Sequence, residues 1–129
     1  MITWNNLDKL TSYQELEKTE SVDLAAVMAG ENGAERVKNY SVPMAEGLAY
    51  NYAAKKVDDT VLSALEKLAE EAQLTEKFEA LYNGEVVNTG EKRLVLHHMT
   101  RGQLGDAVVA DGVDKRTFYV EQQKKIAEF

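Results

Sequence analysis

The residues best equipped for chemistry are concentrated in one stretch, YNGEVVNTGEKRLVLHHMTR, at positions 82–101. It holds two adjacent histidines, two glutamates and two arginines: His97, His98, Glu85, Glu91, Arg93 and Arg101. An imidazole titrates near neutral pH and can act as a general base, paired carboxylates can exchange protons, and guanidinium groups bind phosphate oxygens. The stretch is therefore the first candidate for an active site.

The same side chains also have structural uses, and the sequence favours these. His97 and His98 are the only histidines, and neighbours point about 100° apart on a helix or to opposite faces of a strand. With no cysteine in the chain, this argues against a metal site. We expect Glu85 and Glu91 to cap or form ion pairs rather than act as acid and base. We expect Arg93 and Arg101 to pair with these glutamates, or to reach parts of the protein outside this chain, rather than to bind phosphate.

Two further segments suggest chemistry more weakly. Residues 102–106, GQLGD, resemble a loop that cradles phosphate, but they lack the preceding strand and the following lysine of a P-loop. Lys124 and Lys125 could form a Schiff base only in a desolvated pocket, and we expect them to lie on a solvated helix face.

Length and composition limit the classes of protein. The chain has 129 residues, enough for one domain, with 44% hydrophobic and 29% charged residues, which is typical of a globular protein. A net charge of -7 disfavours nucleic acid and anionic membranes as partners.

The sequence also indicates where the protein works. The first residues, MITWNNLDKL, do not form a secretory signal, and no apolar run is long enough to cross a membrane. The lack of cysteine fits the reducing cytoplasm.

The elements that must position these side chains are mainly helical. Apolar periodicity predicts helical segments at Leu7 to about Lys18, Ser21–Ala29 and Ala34–Asn39. Asn5 or Asn6 is expected to cap the first and Ser21 the second, while Gly30 and Gly33 interrupt the pattern. A small β-hairpin follows at about Tyr40 to Tyr52, with a turn at Glu46-Gly47 and Pro43 on an edge.

The second half begins with the clearest helix, Asp58 to Ala72, capped by Asp58 or Asp59. A further helix is expected to start at Thr75 and to end at Asn83-Gly84, with three residues facing inward: Phe78, Leu81 and Tyr82.

The last part of the chain is less regular. Asn88 and Glu91 have the spacing of a capping box. Residues 92–99 fit either a helix or a strand, and residues 102–114 look irregular. A final helix around Phe118, Tyr119, Gln122 and Ile126 runs to Phe129.

Read as one phrase, residues 84–101 resemble a stretch of the glucose-6-phosphate isomerase family, G-E-K-I-N-x-T-E-x-R-A-V-L-H-x-A-L-R. The residues in register are Gly84, Glu85, Asn88, Glu91, Arg93, Val95, Leu96, His97 and Arg101. Upstream, Gly47, Leu48, Tyr52 and Lys55 are similar to the family's G-L-L-x-D-Y-S-K-N segment, and residues 109–112 to its V-D-G turn. The departures lie where the family has small or apolar residues or a threonine: Gly90, Leu94, Met99 and Thr100.

The resemblance implies a mainly α fold with one small β-hairpin that lacks the α/β sugar-isomerase domains. The family's G-I-G-G-S sugar-phosphate loop is not present in the 129 residues. We therefore expect residues 1–129 to be a single N-terminal helical region, truncated before the first sugar-isomerase domain. His97 is then expected to hydrogen-bond a neighbouring segment, and His98, which has no family counterpart, to be exposed.

For the parent enzyme, the resemblance implies interconversion of glucose 6-phosphate and fructose 6-phosphate through an enediol, in glycolysis and gluconeogenesis. It implies a cytoplasmic homodimer without a metal or organic cofactor. The family-motif residues are expected to be structural, and the chain alone inactive, its partners being the remaining domains of the same polypeptide. The alternative is a stand-alone acidic helical module whose groove binds a partner's amphipathic helix.

Overall fold

A computed structural model describes residues 1–102 and 105–129. The described residues form six α-helices: α1 Thr11–Leu16, α2 Leu24–Val27, α3 Gly30–Asn39, α4 Asp59–Glu71, α5 Leu74–Tyr82 and α6 Lys115–Glu128. They also form three two-stranded antiparallel hairpins: β1 Ser41–Ala45 with β2 Leu48–Asn51, β3 Val86–Asn88 with β4 Arg93–Leu94, and β5 Val109–Ala110 with β6 Val113–Asp114. The prediction of a mainly α fold is confirmed, and two short hairpins add to the one expected.

The chain divides into two compact units. The first unit is Asn5–Glu71, and the second consists of Met1–Trp4 together with Ala72–Phe129. The second unit is thus assembled from two separate stretches of sequence. Its short N-terminal stretch is held by α5, because Gln73 Oε1 accepts a hydrogen bond of 2.8 Å from the Thr3 amide, and the Lys77 ammonium lies 5.3 Å from the ring centroid of Trp4.

In the first unit, the predicted helix from Leu7 to Lys18 is split, so that prediction was wrong in extent. A 3₁₀ turn covers Leu7–Lys9, and the chain is extended at Leu10 (φ -86°, ψ 136°) before α1 begins. Asn6, which was expected to cap this helix, makes no capping hydrogen bond with its side chain to any described residue. Instead, the carboxylate at the end of α4, Glu71, accepts from the amides of Thr11 and Ser12 at 3.2 and 2.7 Å, so the start of α1 is capped from α4.

The next two helices correct the sequence prediction at their starts. Helix α2 is capped by Asp23, whose carboxylate accepts from the Ala26 amide at 3.2 Å, and not by Ser21. Helix α3 runs straight through Gly33, where the periodicity indicated an interruption. A Cβ at Gly33 would lie 2.2 Å from the carbonyl oxygen of Met28, so the glycine is there to let two backbone segments approach and not to end the helix.

The hairpin β1–β2 and helix α4 match the prediction. Glu46-Gly47 forms the turn, and Pro43, which has no amide to donate, pairs with Ala49. Helix α4 is capped by Asp58, whose carboxylate accepts from the Val61 amide at 2.8 Å. α1 packs on α4, while the apolar face of the hairpin stays exposed, with Met44 at 70% and Leu48 at 66%.

In the second unit, α5 begins after Gln73, which adopts a left-handed conformation (φ 53°), so the predicted cap at Thr75 was wrong. Phe78, expected to face inward, is 63% exposed. Residues 92–99 could have formed a helix or a strand. They form strand β4 at Arg93–Leu94 and the beginning of a 3₁₀ turn at His97–Thr100. Met99 is fully buried. Helix α6 was predicted correctly, and its cap is Asp114.

Candidate functional site

The motif stretch begins where α5 ends. Gly84 has φ +74°, and the amides of Gly84 and Glu85 donate to the carbonyls of Leu81 (3.2 Å) and Ala80 (2.9 Å). This is a Schellman arrangement, and it lies at the helix end predicted for Asn83-Gly84. A Cβ at Gly84 would lie 2.2 Å from a methyl of Val108, which is 5% exposed. Gly84 therefore ends the helix and also makes room for a core side chain.

Asn88 and Glu91 form one of the two hydrogen bonds of the predicted capping box, because Glu91 bonds the side-chain amide of Asn88 and not its backbone amide; a strand, not a helix, comes next. Asn88 Oδ1 accepts from the Glu91 amide at 3.2 Å, and Glu91 Oε2 accepts from Asn88 Nδ2 at 3.3 Å. The two residues close the turn between β3 and β4. The guanidinium of Arg93 lies 3.7 Å from the Glu91 carboxylate, with both side chains largely exposed. Such a pair is worth under about 1 kcal/mol.

The two histidines have exchanged the surroundings expected of them. His97 is exposed, whereas His98 packs against Tyr82 with ring centroids 4.8 Å apart. His98 Nε2 lies 3.2 Å from the carbonyl oxygen of Tyr82, to which it donates a hydrogen bond when it carries a proton. His98 Nδ1 is buried without a hydrogen-bond partner among the described residues. The histidine that ties neighbouring segments together is thus His98, and the prediction that it is exposed was wrong.

Arg116, which the sequence did not single out, completes this cluster. It is 6% exposed, and it donates from Nε to the carbonyl of Asp106 (2.5 Å) and from Nη2 to the carbonyl of Tyr82 (2.8 Å). Its guanidinium lies 5.3 Å from the centroid of the Tyr82 ring. Tyr82 is therefore contacted by both Arg116 and His98. The available signal was the position of a cation in the first turn of α6, which is unfavourable for the helix dipole.

A second buried arginine organises the first unit. Arg36 is 8% exposed and donates to the carbonyls of Ala53 (2.8 Å), Lys55 (3.0 Å) and Val57 (2.6 Å). Its guanidinium lies 4.1 Å from the ring centroid of Tyr40. Arg36 thus fixes the loop between β2 and α4. Nothing in its sequence spacing distinguishes it from the exposed charges around it.

The remaining predicted site residues do not converge on a common point. Glu85 and Arg101 are both exposed, and the ion pair expected for Glu85 is not formed with any described residue. The suggested phosphate loop at 102–106 includes residues 103 and 104, which lie outside the described part of the chain. Lys124 and Lys125 lie exposed on α6, as expected.

The shifted pKa values belong to groups that cap or join elements. The pKa of Glu71 is lowered, chiefly because the Ser12 hydroxyl hydrogen-bonds to the carboxylate and then because the Ser12 and Thr11 amides do. The pKa of Asp114 is lowered above all by the Thr117 hydroxyl, 2.6 Å away, at the start of α6. Desolvation raises the pKa of Tyr40, with a further contribution from its hydrogen bond to Asp59.

The described residues contain neither a cluster of metal ligands nor a helix of membrane-spanning type. In residues 1–102 and 105–129, no three histidine, aspartate or glutamate side chains are grouped so as to hold a metal ion. No helix formed by these residues is long and apolar enough to cross a membrane. What the motif stretch does in this geometry is end α5, close a hairpin and pack the core.

Comparison with known proteins agrees with the resemblance read from the motif. Residues 51–129 match the family model described as phosphoglucose isomerase. The chain is 53% identical over 131 aligned positions to glucose-6-phosphate isomerase of Treponema denticola, which covers 98% of the chain and 25% of that protein. It is 37% identical to glucose-6-phosphate isomerase of Borreliella afzelii, covering 100% of the chain and 24% of that protein.

The fold is also similar to part of a solved structure. A crystal structure of glucose-6-phosphate isomerase from Chlamydia trachomatis superposes with a TM-score of 0.74 and 30% sequence identity, over 97% of this chain and 25% of that one. The chain therefore spans about a quarter of the length of the relatives that it matches.

Proposed function

The chain belongs to the phosphoglucose isomerase family and corresponds to an N-terminal part of that enzyme, and from this premise we propose that it is a scaffold for catalytic domains it does not contain. Residues 1–129 form one N-terminal region that precedes the first sugar-isomerase domain. The complete enzyme interconverts glucose 6-phosphate and fructose 6-phosphate by proton transfer through an enediol. It works in the cytoplasm as a homodimer, without a metal or organic cofactor.

The observation that carries the scaffold role is the amount of surface left uncovered. The chain exposes 9999 Å². Two separate compact units, each with half the mass of the chain, would together expose only about 8,200 Å². The excess is partly apolar, because large hydrophobic side chains are exposed in both units: Met44, Leu48, Leu74, Phe78 and Ile126 are each at least 60% exposed. The chain spans about a quarter of the length of its relatives, and the remaining three quarters of such a polypeptide would cover these apolar surfaces.

The family-motif residues fit this role without any catalytic duty. Gly84 ends α5, and Asn88 and Glu91 close the β3–β4 turn with Arg93 alongside. Five motif residues keep exposed side chains and are available to contact the remaining domains: Glu85, Glu91, Arg93, His97 and Arg101. None of the seven is proposed to act on the substrate.

A chimera and an assay of the chain alone test the proposal. The corresponding quarter of the Treponema denticola enzyme is replaced by this chain, and aldose–ketose isomerisation is measured for the chimera, the unaltered enzyme and the 129-residue chain. We expect activity in the chimera and none in the chain alone. Turnover by the isolated chain would refute its inactivity. A soluble but inactive chimera beside an active parent would refute the scaffold role and favour the stand-alone binding module.

A further inference from the structure

One apolar groove lies within the first unit, between the hairpin β1–β2 and helix α4. Val42, Tyr50 and Tyr52 line it from the hairpin, and Leu62 and Leu65 line it from the helix. It measures about 380 Å³ and is open to solvent. Val42, Tyr50 and Leu65 are 45%, 46% and 39% exposed, so the first unit leaves a large part of each residue open to solvent.

The groove carries one charge, on a residue whose backbone is anchored. Lys55 is the charged residue among its lining side chains. The backbone beneath it is fixed, because the carbonyls of Lys55 and Val57 both accept from the buried guanidinium of Arg36, at 3.0 and 2.6 Å. A lysine on an anchored loop at the rim of an apolar groove favours an occupant with aliphatic side chains and a carboxylate.

We propose that this groove, which we call the hairpin groove, is where the rest of the isomerase polypeptide docks on this region, through an aliphatic segment that places a carboxylate opposite Lys55. The inference rests on the proposed function and gives it a location. Three quarters of the length of each relative lies outside this chain. The fold of the chain is preserved within a complete enzyme, with a TM-score of 0.74 over 97% of its length, so the surface open here is a surface that the complete enzyme has to accommodate.

A second copy of this chain fits the groove less well. A stable dimer interface buries about 800 Å² per partner. One hairpin face and two helical leucines offer much less than that. The chain also carries a net charge of -7, so two copies repel each other.

Lysine labelling provides the test, since the chain offers a matched pair. Lys55 lines the groove, whereas its neighbour Lys56 does not, and both are exposed. An amine-reactive acetylating reagent is applied to the isolated chain and to the chimera with the Treponema denticola enzyme, and the rate at each lysine is followed by mass spectrometry. We expect Lys55 to react at least tenfold more slowly in the chimera than in the chain, and Lys56 to change less than twofold.

Charge reversal gives a second and independent measurement. Lys55→Glu should lower the melting temperature of the chimera by several degrees and leave that of the isolated chain unchanged. Lys56→Glu, the matched control, should change neither. The contrast separates docking from folding, because a purely structural role of Lys55 would destabilise the chain and the chimera alike.

Each outcome decides a different claim. If the chimera is active and Lys55 reacts as fast as in the isolated chain, docking in the hairpin groove is refuted and the scaffold role is not. If the chimera is inactive and Lys55 is protected, docking in the groove is supported and the scaffold role is refuted. Protection of Lys55 in the isolated chain, with dimers detected by sedimentation, would assign the groove to a second copy instead. A chimera that does not fold counts against both claims.

Discussion

Replacing Arg36 by methionine should destabilise the first unit more than any surface substitution. The change keeps the length of the side chain but removes donors to three carbonyls. The carbonyl of Ala53, whose residue is 2% exposed, would be left buried and unpaired, at a cost of about 1–3 kcal/mol. The carbonyls of Lys55 and Val57 are part-buried and can be rehydrated, at about 0.5–1 kcal/mol each.

Burying a guanidinium costs free energy that methionine avoids, so the net loss should be about 3 kcal/mol. This is a large part of the roughly 5–15 kcal/mol that stabilises a typical domain. Arg36→Lys should lose less, about 2 kcal/mol, since one ammonium cannot reach all three carbonyls at once. The control is Arg93→Met, which removes an exposed ion pair and should change the free energy of unfolding by less than about 0.5 kcal/mol.

Urea unfolding followed by far-ultraviolet circular dichroism measures these losses. A second probe is available because Trp4 is the single tryptophan and belongs to the second unit, so its fluorescence reports on that unit separately. Equal losses for Arg36→Met and Arg93→Met would refute the view that the buried guanidinium holds the loop together.

Three further predictions follow from matched residues and from pH. Gly84→Ala should lower the free energy of unfolding by about 2–4 kcal/mol, because the new methyl would collide with a buried valine. Gly47→Ala has a similar φ but open space and should lower it by only about 1 kcal/mol. Coinciding thermal melts of the two variants would contradict this. His98→Ala should lose about 1–3 kcal/mol and His97→Ala less than about 0.5 kcal/mol, measured by urea titration, and a reversed order would contradict the assigned packing. Because the pKa of Glu71 is lowered in the folded state, its stabilising contribution is fully present above the usual value near 4.5 and is lost as pH falls below it; Glu71→Gln should flatten the acid side of the stability–pH curve, and an unchanged slope would refute the capping role.

Local signals were sufficient wherever the structure is determined by neighbours in sequence. Asp58 precedes an apolar face at helical spacing, and α4 forms as predicted. Glu46-Gly47 lies between two short alternating runs, and the first hairpin forms there. In both cases the residues that define the element also make its contacts, so periodicity and turn chemistry were enough.

The errors arose where a distant residue decides the local structure. α1 starts at Thr11 because Glu71, sixty positions later, caps it. Gly33 lies inside a helix because another backbone segment needs the space that a side chain would fill. No pattern within a short window contains that information.

The candidate site shows the same limit. The motif identified the family and marked Gly84 as a helix end, which it is, and Asn88 as a cap, whereas Asn88 closes a hairpin turn. It assigned the packed histidine to the wrong neighbour and gave no weight to Arg36 or Arg116. A buried arginine bonded to backbone carbonyls leaves no spacing signature, because its acceptors are available on residues of any type.

The second unit is built from Met1–Trp4 and Ala72–Phe129, so the order of synthesis on the ribosome separates its parts in time. The N-terminal residues emerge first, but Gln73, which binds them, is translated roughly 3–14 s later at ordinary elongation rates. The synthesis of the first unit fills that interval, because its last residue, Glu71, is translated only two positions before Gln73. The opening four residues therefore remain without their docking partner until α5 has left the exit tunnel, and a nascent chain stalled before that point would present Trp4 to chaperones or proteases.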